Sequence, residues 1–125
     1  MRDGTKRIIQ KYEDNKLFSK DKVNIYFGEV PDEVYQKFIN KHLLMAGRDT
    51  KPLKCWEIIK EFIKQKKSIL ISYEDNFIQI FCSKNFSYYG INACDKHSDI
   101  CTILLYEGMK WLQNNKCTFF LLWIS

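Results

Sequence analysis

Ile69-Leu70-Ile71-Ser72-Tyr73-Glu74-Asp75-Asn76-Phe77-Ile78-Gln79-Ile80-Phe81 decides the fold. Two short runs of β-branched and aromatic residues flank Glu74-Asp75-Asn76, whose polar side chains suit a turn, so the stretch reads as a β-hairpin. A third run, Phe86 to Ala93, carries the adjacent Tyr88 and Tyr89 and reads as a further strand. Val23 to Phe27 reads as a short strand ahead of Gly28.

Between that first strand and the hairpin the hydrophobic period changes to that of a helix. Val34, Phe38 and Met45, with Tyr35 and Ile39, give an apolar face over about 32–46. Pro31 stands at its start, where a missing N–H is harmless. Asp32 and Glu33 suit the positive end of the dipole, and Gly47 suits its C-terminal stop. A polar connector, Arg48 to Pro52, leads to a second helix over about 53–66, with Trp56, Ile59 and Ile63 beside Ile58 and Phe62. Beyond the strands, Asp99 is placed to cap a helix over about 100–114. Ile100, Ile103, Leu104 and Leu105 make that helix apolar nearly all round at its start, so it is expected to be buried. Cys117 to Ile124 reads as a strand greasy enough to need cover on both faces. A chain stopping there reads as one part of a longer protein.

The predicted order is β, α, α, β, β, β, α, β, an α/β (α+β mixed) fold with helices flanking a mixed sheet. Residues 1–22 are half charged, with Ile8, Ile9, Tyr12, Leu17 and Phe18 as their core candidates; they read as a charged arm or helix ahead of a lobe spanning 23–125.

Composition bounds the function. The chain has 125 residues, about one domain. Its 46% hydrophobic and 28% charged residues are those of a globular protein. The longest apolar run, Phe119 to Ile124, is too short to span a bilayer, and the first residues have no apolar stretch of a secretory signal. The net charge is +5, carried by the first half. That is compatible with an anionic partner, although scattered lysines read more simply as solvated helix faces. Five cysteines with no C-x-x-C spacing give no zinc or thioredoxin-like pattern; they read as reduced thiols in a cytoplasmic setting.

Three stretches, taken in order, carry a resemblance. They are His42 to Pro52 with its Arg48 and Thr50, followed by Trp56; Tyr88-Tyr89-Gly90-Ile91-Asn92-Ala93-Cys94-Asp95 after the hairpin; and Leu104-Leu105-Tyr106-Glu107 to Trp111 before the last strand. Together they resemble the FemAB-like branch of the N-acyltransferase superfamily, whose members have the GNAT fold, over about residues 29–123. Lys51 stands where such proteins often have a second Arg, and Cys101-Thr102 where they often have a His. The resemblance implies transfer of an activated acyl or aminoacyl group to an amine acceptor, in cell-envelope or surface-polymer synthesis. The implied donor is an acyl-CoA or an aminoacyl-tRNA. No Q/R-x-x-G-x-G/A phosphate loop occurs, which weighs against direct CoA binding and leaves an aminoacyl-tRNA or another carrier-bound acyl group, nucleic acid entering this reading only as a tRNA-linked donor.

Residue chemistry supplies the candidate site. Glu107 falls on the apolar face of the last helix, where a carboxylate needs a partner or a raised pKa and could serve as a general base; the structural alternative is a pair with a lysine. Asp95, at a strand end, could take the amine proton or fix its loop. Tyr89 could donate its hydroxyl to the reacting carbonyl, and Tyr88 could line the substrate, or both could pack in the core. Arg48 and Thr50 suit an anion clamp or a turn and cap, and His42 suits a base or a packed helix residue. No metal site is expected. The competing reading is a non-catalytic GNAT-like module for binding or homo-oligomer formation; a simple nucleic-acid-binding domain comes third.

Overall fold

The computed structural model describes residues 3–14, 18–46, 53–82, 87–95 and 99–115. The fold is α+β. In chain order it comprises α1 (Asp3–Glu13), a 3-10 turn (Lys20–Lys22), β1 (Val23–Tyr26), α2 (Asp32–Ala46), α3 (Leu53–Lys64), β2 (Ser68–Tyr73), β3 (Asn76–Cys82), β4 (Ser87–Ala93) and α4 (Ile100–Asn114). The four strands form one sheet in the order β1-β2-β3-β4, and each neighbouring pair is antiparallel. The strand expected over 117–124, which a mixed sheet would need, lies outside the described residues, as does Gly47.

Alternation along the hairpin sorts its side chains to two faces. Ile69, Ile71 and Tyr73 of β2 and Ile78, Ile80 and Cys82 of β3 pack with Ile100, Leu104, Leu105 and Leu112 of α4. Leu70 and Phe77 point the other way, into a cluster with Tyr35 and Phe38 of α2 and Trp56, Ile59 and Ile63 of α3. The sheet is therefore the middle of three layers, which explains why every residue of β2 is buried. Antiparallel sheets commonly leave one face to water; here two helical layers remove that option. Each fully buried Ile or Leu contributes about 1.5–3 kcal/mol of transfer free energy.

The N-terminal arm belongs to this body. It forms a helix rather than an extended arm, and Ile9 and Tyr12 are buried where α1 packs on α4. Phe18 continues the contact with its ring 6.4 Å from Tyr12 and 5.7 Å from Tyr73. Asp99 does stand at the N-cap of α4, yet its side chain makes no capping bond, a correction to the expected cap.

Two close approaches depend on glycine. A Cβ on Gly108 would lie 2.7 Å from Ile80 Cδ1 and 2.9 Å from Ile71 Cδ1, so its absence lets α4 settle on the sheet. Gly90 sits where β4 carries one more residue than β3: Ile78 pairs with Asn92, but Ile80 pairs with Tyr89. A Cβ there would lie 2.8 Å from the Gln79 carbonyl oxygen.

Candidate functional site

One end of the sheet gathers residues from three elements. The tight β2–β3 turn carries Asp75, β4 ends just before Asp95, and α2 runs above both. From α2, Lys41 extends its ammonium to both carboxylates, hydrogen-bonded to Asp95 and 3.3 Å from Asp75 Oδ2. The lysine side chain is only 8% exposed, whereas those of Asp75 and Asp95 are 69% and 55% exposed. The two hydrogen-bonded carboxylates, Asp95 foremost, hold the Lys41 ammonium above its ordinary pKa, against the opposing effect of burial.

Local bonds fix this end further. The Asp95 backbone N–H donates to Asn76 Oδ1 at 2.8 Å, and the Cys94 N–H donates to Asn92 Oδ1 at 2.9 Å. The loop leaving β4 is thus tied both to the hairpin turn and to its own strand, so Asp95 is a placed carboxylate rather than a loose one. Beside it an open groove of about 330 Å³ is lined by Lys37, Asn40, Lys41, Leu44 and Asp75. Leu44 is 81% exposed and gives the groove an apolar lip.

Glu107 lies elsewhere. It sits on α4 seven residues beyond Ile100, about 10 Å along the helix axis at 1.5 Å per residue, and faces α1. Its side chain is 16% exposed and its Oε1 is 3.3 Å from Lys110 Nζ, the lysine pair that was its structural alternative. Burial first, and then the Glu107 carboxylate, push the Tyr12 hydroxyl of α1 well above its usual pKa. The neighbouring Tyr106 hydroxyl donates to Glu13 of α1; that bond, with burial, raises Tyr106 to about 12. These groups join α1 to α4 through protonated phenols and carboxylates.

The structure therefore brings Asp95 together with Lys41 and Asp75, and does not bring Glu107 to them. His42 packs edge-on to Trp56, ring centroids 5.2 Å apart. Tyr88 and Tyr89 pair through their backbones with Phe81 and Ile80, and their side chains lie outside the described residues. Arg48 and Thr50 lie outside them as well. Lys41 was missed by sequence reasoning. Its signal was a charge three residues after Phe38, inside the apolar stripe of α2, where a lysine needs an acidic partner.

Among the described residues no cluster of three His, Cys, Asp or Glu side chains could hold a metal ion. No helix among them is long and apolar enough to cross a membrane. No family model, curated protein or solved structure matches the chain.

Proposed function

We propose that this chain is an acyltransferase-like lobe that presents an amine acceptor to an activated acyl or aminoacyl group. One observation carries the reading: the order β, α, α, β, β, β, α on a single antiparallel sheet, with the extra residue of β4 at Gly90 a few residues before the placed Asp95. Bulges interrupt the ladder and re-aim groups, and they are common beside active sites.

Asp95 and Asp75 offer two solvent-reachable carboxylates to an acceptor ammonium, and Asp95 takes up the proton lost as the amine attacks. Lys41 is the positioning residue that holds both. Glu107 joins α4 to α1 in this reading, away from the acceptor. The donor is aminoacyl-tRNA or acyl-CoA. The missing Q/R-x-x-G-x-G/A phosphate loop weighs against direct CoA binding, which supports a tRNA-linked or other carrier-bound donor.

A second reading, a non-catalytic binding or homodimerising module, is favoured by a specific observation: the carboxylates of Asp95 and Glu107 are both already paired with lysines. The test offers the folded chain aminoacyl-tRNA and acetyl-CoA, each labelled in its acyl group, with lysine as the amine acceptor. Label on the amine supports transfer; a folded chain that moves no label from either donor supports the second reading.

A further inference from the structure

We infer that Cys94 and Cys101 form a reversible dithiol–disulfide site, oxidised by hydroperoxides, at the junction of β4 and α4. Cys94 follows β4 and is buried in the cluster beneath α4, and Cys101 lies in the first turn of α4, packed on that same cluster. Asn92 holds both. Its Oδ1 accepts from the Cys94 backbone N–H at 2.9 Å and its Nδ2 donates to Cys101 Sγ at 3.2 Å. The Cys101 thiol hydrogen-bonds that of Cys94; this bond and then burial push the Cys94 thiol far above its usual pKa. Cys94 Sγ also sits 3.5 Å from the Phe77 carbonyl oxygen.

The two thiols have unequal roles. Cys101 is partly exposed, and Asn92 meets it at the surface. A small oxidant reaches the partly exposed Cys101 first. Cys94 is buried and resists direct attack. The Cys101 thiolate attacks the O–O bond of a hydroperoxide, forming an S–O bond while the leaving oxygen takes a proton and departs as water or an alcohol; the product is the sulfenic acid. Cys94 Sγ then attacks Cys101 Sγ. The S–O bond breaks, the Cys94 proton leaves with the hydroxyl as water, and the disulfide forms. The peroxide is the two-electron oxidant, and added thiol reverses the reaction. The bond would clamp the residue before Asp95 to α4.

The experiment treats the native full chain with hydrogen peroxide, followed by non-reducing peptide mapping. Trypsin cuts at Lys96, between the two cysteines, so the bond joins two separate peptides. The expected product is that joined pair, lighter by two hydrogens than its reduced parts and restored by dithiothreitol. In Cys94→Ala, dimedone is expected to label Cys101; in Cys101→Ser, Cys94 stays reduced. The inference is overturned if the native chain leaves both thiols reduced, if it joins either one to Cys55, Cys82 or Cys117, or if Cys101 proceeds to sulfinic acid while Cys94 stays free. The mapping of the unaltered chain decides even if a core variant fails to fold.

Discussion

Lys41 of α2 hydrogen-bonds Asp95 at the end of β4, and so ties the helical layer to the strand end that carries the proposed acceptor site. A near-buried ammonium between two half-open carboxylates is more than a surface pair, because the lysine has little water of its own. Lys41→Met keeps the apolar stem and removes the charge. It is expected to lower stability by about 1–2 kcal/mol, read as a shift of the urea midpoint at unchanged slope.

The same pair predicts an alkaline weakness. The folded state raises the Lys41 pKa above its ordinary 10.5 and that of Tyr106 to about 12, and burial raises Tyr12 and Tyr35 as well. A group whose pKa is raised by folding contributes stability that is complete below its unfolded value and lost as pH rises through the folded one. Urea midpoints should therefore fall from about pH 10 upward, and less steeply in Lys41→Met. Ultraviolet titration of Glu13→Gln should move one tyrosine from about 12 back toward its usual 10.0.

Glycine substitutions separate two kinds of close packing. An alanine Cβ at Gly90 would lie 2.8 Å from the Gln79 backbone oxygen, which cannot rotate away, and 2.7 Å from the Phe81 ring. Gly90→Ala should cost about 2–3 kcal/mol. At Gly108 the obstacles are Ile Cδ1 atoms, which can shift, and alanine recovers about 1 kcal/mol of helix propensity. Gly108→Ala should cost less than Gly90→Ala in the same denaturation experiment.

A stabilising change is expected at the end of α3. Lys66 takes φ 62, and the bonds from Lys67 N to Phe62 O and from Lys66 N to Ile63 O form a Schellman motif. Glycine is the residue that takes this backbone without strain. Lys66→Gly should raise stability by about 0.5–1 kcal/mol, measured by thermal melting.

Much of the fold was legible because periodicity reports burial directly. The helices over 32–46 and 100–114 coincide with α2 and α4, and the hairpin turned where Glu74 and Asp75 interrupt the apolar runs. The end of α3 is read two residues late, since Gln65 and Lys66 continue the polar pattern while the backbone turns left-handed at Lys66. The site was less legible. The apolar spacing of Glu107 revealed that it would be largely covered, but not that α1 and Lys110 would cover it. The pairing of Lys41 with Asp95 joins residues 54 apart in sequence, and no local pattern encodes such a contact.

The most direct test compares acyl transfer to lysine by the native chain, Asp95→Asn and Glu107→Gln, with folding verified by circular dichroism. The expected result is measurable transfer by the native chain, a loss of about 10²-fold or more in Asp95→Asn, and near-native kcat/KM in Glu107→Gln. Transfer that survives in Asp95→Asn but disappears in Glu107→Gln would contradict the placement of the site at the Lys41 end of the sheet.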